Sequence, residues 1–282
     1  MNRKPAAAGR FYESDAAGLR EQIAGCFTDE RGPGSVPEAQ HGSGDIKGCV
    51  VPHAGYPFSG PIAAHTYDAV ARDGMPDRYV ILGPNHTGYG APVAMMSQGA
   101  WDTPLGPVRL DGEAGEMLRD VADEDRVAHM HEHSIEVQLP FLQYLRDDVR
   151  FVPVCLARQD RATAEALGEA IAGVDGLPVA STDFSHAGMG YGQRPPADMA
   201  VQDWARRQDE KAIDAIQTLE AESFLNTVRH EKISMCGYGA VAAVMHAAVE
   251  NGATTAELLA YGTSYEVHPA SSCVGYAAVV FR

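Results

Sequence analysis

The sequence predicts an α/β protein whose central sheet is mixed, largely parallel and covered by helices on both faces. Three observations carry that expectation. Residues 48–52 (GCVVP), 78–83 (RYVILG), 150–155 (RFVPVC) and 177–181 (LPVAS) are short apolar runs bounded by Gly, Pro or charged residues. None alternates polar with apolar, as a strand with one wet face would, so they read as strands buried on both faces. The stretches between them have helical patterning, and an alternation of strands and helices implies crossover connections in a layered α/β fold.

Taken in order, 15–27 reads as a helix and 31–44 as a surface loop rich in Gly, Pro and Ser. The first buried strand is followed by a helix over 61–72, and the second by hairpin strands at 92–96 and 108–110 around Trp101. Residues 134–146 read as a helix capped by Ser134, with Glu136 favouring its N-terminal dipole. The third strand leads to a helix over 161–172, and the fourth to a polar loop over 188–198. Helices at 203–216, 223–229 and 238–251 follow, and strands at 258–267 and 274–281 close the chain, expected antiparallel to the rest. With 282 residues and no internal repeat, one domain spanning 1–282 is expected.

Composition narrows the function classes. Apolar residues are 45% and charged residues 21%, ordinary globular usage that excludes disordered and fibrous chains. There is no apolar run of transmembrane length, and the opening Met1, Asn2, Arg3, Lys4, Pro5 lacks the apolar core of a secretory signal. A cytoplasmic protein is expected. Asp plus Glu total 38 against 22 Lys plus Arg, a net charge of −16, which argues against nucleic-acid and membrane partners. The only lysines are Lys4, Lys47, Lys211 and Lys232. This composition fits equally a halophilic source or a GC-rich genome with ordinary acidity. Five cysteines with no CxxC pair exclude a disulfide scaffold or a structural zinc module.

In such sheets ligands bind beyond the carboxyl ends of the strands. Three buried strands run there into histidine-bearing turns: Pro52-His53-Ala54-Gly55-Tyr56, Gly83-Pro84-Asn85-His86 and Asp183-Phe184-Ser185-His186. Any one of these is ordinarily a hydrogen-bonded turn histidine. The repeated strand–Pro–His form at His53 and His86 favours a shared pocket, and neutral imidazole suits zinc, copper, iron and nickel. Cys236 precedes Gly237 and an apolar helix, a position expected to lower its pKa towards the thiolate; the alternative is a buried structural thiol. Cys26, Cys49, Cys155 and Cys273 lie in apolar segments and read as structural. In the run from His129 to Glu136, His133 and Glu136 are expected to approach the pocket, and His129 and His131 to be solvated. His41, His65, His230, His246 and His268 have no convergent context. There is no GxSxG elbow, Walker loop, GxGxxG or HExxH helix.

Taken together, His53-Ala54-Gly55-Tyr56, Gly83-Pro84-Asn85-His86, Glu132-His133-Ser134-Ile135-Glu136, Asp183-Phe184-Ser185-His186 and Cys236-Gly237 resemble the Memo family. So do Gly9-Arg10-Phe11-Tyr12 and Trp101-Asp102-Thr103-Pro104-Leu105-Gly106. The matches run in order over almost the whole chain. The resemblance implies a three-layer αβα fold similar to class III extradiol dioxygenases. It implies a metal site on His53, His86 and Cys236, with iron or copper favoured over zinc, and Asp183 and His186 lining the same pocket. It also implies, for prokaryotic members, radical SAM and AMMECR-type partner proteins (the AmmeMemoRadiSam system), and for the eukaryotic member a peptide ligand. The thiolate departs from the two-His-one-carboxylate pattern of non-haem iron oxygenases, so the fold does not by itself license dioxygenase activity.

Three functions follow as alternatives. A metal-dependent redox enzyme would use Asp183 to orient a ligand and His186 or His133 as acid/base. A binding module would hold a peptide, a small molecule or a partner protein without turnover. A zinc hydrolase would use a metal-bound water.

Overall fold

Along each central strand, successive side chains alternate between two apolar layers. Val50, Val80, Leu82, Val152, Val154 and Ala180 enter one core, and Cys49, Val51, Tyr79, Ile81, Phe151 and Val179 enter the other. Helices cover both, giving three layers in αβα order. The computed structural model describes residues 2–42 and 44–282; Met1, and Ser43 of the expected 31–44 loop, lie outside the described residues.

In chain order the elements are α1 (Ala16–Thr28), β1 (Gly48–Val51), α2 (Tyr56–Asp73), β2 (Arg78–Pro84), β3 (Val93–Met95), β4 (Ala100–Thr103), β5 (Gly106–Leu110), α3 (Gly112–Met117), β6 (Asp123–Glu124), α4 (Leu139–Leu145), β7 (Arg150–Leu156), α5 (Arg161–Ala172), β8 (Leu177–Ser181), β9 (His186–Gly188), α6 (Val201–Gln217), α7 (Ala221–His230), α8 (Tyr238–Glu250), β10 (Ala256–Thr263), α9 (Ser264–Val267) and β11 (Ser272–Phe281). The sheet order is β10-β11-β1-β8-β2-β7-β3-β6, with β1, β8, β2 and β7 mutually parallel. β11 runs antiparallel to β1, as expected of the closing strands. β10 is antiparallel to β11 and so runs in the same sense as the parallel core, which corrects the expectation for it. Asp15 and Asp160 cap α1 and α5 by accepting from the backbone N–H three residues on.

Three further expectations are corrected. The helix expected from residue 61 begins at Tyr56, with Pro61 inside it. A proline there leaves the carbonyl four residues earlier unbonded, and Arg31 Nη2 donates to that Pro57 oxygen at 3.4 Å. The helix expected over 134–146 is α only over Leu139–Leu145, after a 3-10 turn at Glu136–Gln138. Ser134 is not its cap: its hydroxyl donates to Pro84 O at 3.0 Å. The hairpin consists of β4 and β5, with Trp101 inside β4, whereas β3 pairs with β7.

The N-terminal arm is bound through one buried ion pair. Arg3 lies over the Trp101 ring at 4.0 Å and meets Glu136 at 2.5 Å, both side chains fully enclosed. Arg3 also donates to the carbonyls of His129 and Glu132, each at 2.6 Å. Glu136 further accepts from Ala6 N, Ala7 N and the Tyr12 hydroxyl. Removing one member strands the other charge, so Arg3→Met is expected to cost about 3–5 kcal/mol of unfolding free energy in urea. The double variant with Glu136→Gln should lose less than the sum of the two single changes.

Candidate metal centre at the carboxyl ends of the sheet

The order β1-β8-β2 brings three strand ends side by side. His53 follows β1, Asp183 and His186 follow β8, and His86 follows β2. Close backbone approach is what the glycines permit. A Cβ on Gly237 would sit 2.8 Å from Ser181 O, and one on Gly83 2.6 Å from Ser134 Oγ. Cys236 is thereby pressed against the end of β8, and the 132–134 turn against the end of β2.

One ring nitrogen from each of His53, His86 and His133 lies within 4.8 Å of the others, a spacing that suits a shared metal ion. The ring centroids are 5.2 Å apart for His53 and His86, 5.4 Å for His53 and His133, and 4.7 Å for His86 and His133. Cys236 Sγ meets this group at His53 Nε2, 3.3 Å away. Asp183 stands behind it: Oδ1 accepts from His53 N at 2.8 Å, and Asp183 N donates to Cys236 Sγ at 3.3 Å. His186 lines the same pocket of about 440 Å³, with Phe11, Phe58, Tyr191 and Tyr276 as its aromatic walls.

His86 and His186 have their Nδ1 committed, and His133 Nδ1 lies near a carboxylate. His86 Nδ1 donates to Glu132 Oε1 at 2.9 Å, and His133 Nδ1 lies 3.3 Å from the same oxygen. His186 Nδ1 faces the carbonyls of Phe184 and Ser234, both at 3.0 Å. That leaves Nε2 of His86 and His186 as nitrogens with bare lone pairs, the form that binds a metal or accepts a proton. Burial, reinforced by the neighbouring imidazoles, lowers the His53 pKa well below its ordinary value. Burial likewise holds His133 at about 4, against the pull of Glu132. Burial would raise Glu132, but the His86 hydrogen bond and charge, with the Ser134 N–H, outweigh it and hold the carboxyl at about 2. Asp183 is pushed up to about 6, chiefly by burial. The donor set therefore fits a metal ion: three imidazoles, with a carboxyl and a thiol alongside.

Several sequence expectations are corrected. Cys236 is not poised as a thiolate: burial, with Asp183 adding to it, pushes its pKa up. Glu136 turns away from the pocket into the N-terminal arm. His129 is fully buried rather than solvated, edge-on to Trp101. His268, expected to have no role, lines the pocket. Sequence reading gave no role to Glu132 or Gln138; a carboxylate beside two histidines is the only signal that marks the first. It also missed Asp209 on α6, which holds the Asp183–His186 turn from behind by accepting from Ser185 N and the Tyr261 hydroxyl, both at 2.8 Å.

An αβα sheet with imidazoles gathered at its strand ends defines a three-layer α/β protein with a histidine-rimmed pocket. More narrowly, the chain belongs to the Memo family: the model for Memo-like proteins matches residues 3–280. A MEMO1 family protein of Methanopyrus kandleri is 47% identical, with 100% of this chain and 99% of the relative covered. One of Methanothermobacter thermautotrophicus is 44% identical, covering 98% and 99%, and one of Methanococcoides burtonii 41%, covering 99% and 100%. No helix among the described residues is long and apolar enough to cross a membrane.

Two outcomes follow from the electrostatics. With its pKa raised, Cys236 of the metal-free protein should react with iodoacetamide at pH 7.5 at least about tenfold more slowly than free cysteine, followed by mass spectrometry. Asp209 is also raised to about 6 by burial. The folded protein keeps that proton while the unfolded chain releases it, so this group's contribution to stability falls as pH rises from about 4 to 6. Asp209→Asn does not titrate. Its deficit against the parent protein in urea unfolding should therefore be larger at pH 4 than at pH 7.5, by about 3 kcal/mol.

Proposed function

We propose that this pocket holds a transition metal on His53, His86 and His133, with Cys236 as a further donor, and that the protein carries out metal-dependent redox chemistry of the dioxygenase-like kind. The observation that carries this reading is the spacing of the three imidazoles, together with the hydrogen bond that leaves Nε2 of His86 bare. Imidazole donors suit iron, copper and zinc, the thiol of Cys236 suits copper(I), zinc or iron, and redox chemistry requires iron or copper. A bound metal would supply Lewis acidity and an accessible change of oxidation state. The chain's own residues do the rest. Phe11, Phe58 and Tyr191 offer apolar faces to a small planar ligand. Asp183, fixed by His53 N, orients a polar group at the site. His186, with Nδ1 held by two carbonyls, presents Nε2 to take up or return a proton.

A second reading is favoured by the pocket mouth. Tyr191 is half exposed there, and Met189, in the same turn, is 69% exposed. In this reading the pocket binds a peptide or a partner protein, a radical SAM or AMMECR-type protein in particular, without turnover. Recovery of such a partner that is lost on pocket substitution and indifferent to chelators would favour it.

The deciding measurement is metal content after anaerobic reconstitution with Fe(II), Cu(I) or Zn(II). About one equivalent is expected, falling below one tenth in His53→Ala and in His86→Ala. His133→Ala and Cys236→Ser, compared side by side, rank the remaining two donors. Metal at background level in the parent protein, unchanged in His53→Ala, sinks the proposal.

A further inference from the structure

Ser181 ends β8 with its hydroxyl oxygen inside three hydrogen-bond distances. Ser134 O lies at 2.6 Å, Gln138 Nε2 at 2.8 Å and His53 Nδ1 at 3.0 Å. A hydroxyl has one proton and two usable lone pairs, so the assignment can be worked through. Ser134 O carries no proton, and two oxygens 2.6 Å apart require one between them. The Ser181 proton is therefore spent on Ser134 O.

Gln138 takes one of the lone pairs. The direction of its amide is fixed from both ends: Nε2 donates to Pro52 O at 3.0 Å, and Oε1 accepts from the Tyr67 hydroxyl at 2.7 Å. Turning the amide over would face its oxygen with the Pro52 carbonyl. One lone pair of Ser181 remains, and only a proton on His53 Nδ1 can fill it. His53 Nε2 is then bare and faces Cys236 Sγ at 3.3 Å. Ser181, Gln138 and Tyr67 are all at most 1% exposed, so water does not substitute for any of them.

We propose that Ser181, oriented by Gln138 and Tyr67, is a positioning residue that locks His53 in the tautomer whose Nε2 lone pair is open to the pocket. It touches neither ligand nor metal and acts through His53. Its consequence for metal affinity rests on the metal reading given above; its consequence for the tautomer does not. Partners of ligating histidines are generally worth 10–100-fold in metal affinity.

The test has two arms. In the metal-free protein labelled with 15N-histidine, long-range 15N–1H correlation reports which ring nitrogen carries the proton, with His53→Ala assigning the signal. A single Nδ1–H form is expected for His53, and an Nε2–H form or an even mixture overturns the proposal. In Ser181→Ala and in Tyr67→Phe the His53 signal should become mixed. Co(II) affinity should fall about 10–100-fold in the first variant and less in the second. Unchanged tautomer and affinity in folded Ser181→Ala also overturn it. Because Ser181→Ala leaves Ser134 O and one of the two Gln138 Nε2 hydrogens unpaired, Tyr67→Phe, which removes only the outermost hydroxyl, provides the same comparison if the first variant does not fold. Failure of the parent protein to take up Co(II) would count against the metal reading alone, since the tautomer arm decides the role of Ser181 without any metal.

Discussion

A single buried carboxylate holds the pocket together. Glu132 Oε1 accepts from His86 Nδ1, His133 N and Ser134 N, each at 2.9 Å, while Oε2 accepts from the His86 backbone N–H at 2.5 Å. The parallel sheet delivers β2 to the rim, but a strand end does not choose a rotamer. Glu132 does so for His86 and ties the turn after β2 to the 132–134 turn. Burying a carboxylate is costly, and four N–H donors offset that cost here.

The same logic recurs around the pocket. Three of the imidazoles are gripped at Nδ1 by an acceptor on the scaffold: a carboxylate for His86, a hydroxyl for His53, two carbonyls for His186. The grips differ chemically but leave Nε2 in the same state. Asp183 and Cys236 sit among these rings with their pKa values raised by burial, so each holds its proton to higher pH than it would in water. A bound cation would reverse that by favouring the charged forms of both.

Behind the pocket, the fold commits further buried charge to holding two segments still. Arg3 and Glu136 fasten the N-terminal arm to the run that carries Glu132 and His133, with Arg3 Nη2 on the Glu132 carbonyl itself. Asp209 does the same for the Asp183–His186 turn from α6. Both anchors lie one layer away from the residues they steady, which explains why chemistry-bearing motifs did not point to them.

Local patterning determined much of this protein. The runs GCVVP, RYVILG, RFVPVC and LPVAS are too apolar for anything but doubly buried strands, and Gly and Pro after them force turns, so His53, His86, Asp183 and His186 had to lie at one rim. Where a long-range partner overrides local preference, the sequence was silent or misleading. Arg31 lets α2 run through Pro61, Pro84 O draws Ser134 away from a cap, and β7 takes β3 out of the hairpin. Strand order, too, is set by contacts distant in sequence, and it decided that β8 lies between β1 and β2. Only that placement puts Ser181 beneath His53, brings His133 within reach of His53 and His86, and sets Cys236 beside Asp183 in surroundings that disfavour its thiolate. Residue type and spacing establish which side chains stand at the ends of strands; proton positions and burial depend on neighbours that only the folded chain supplies.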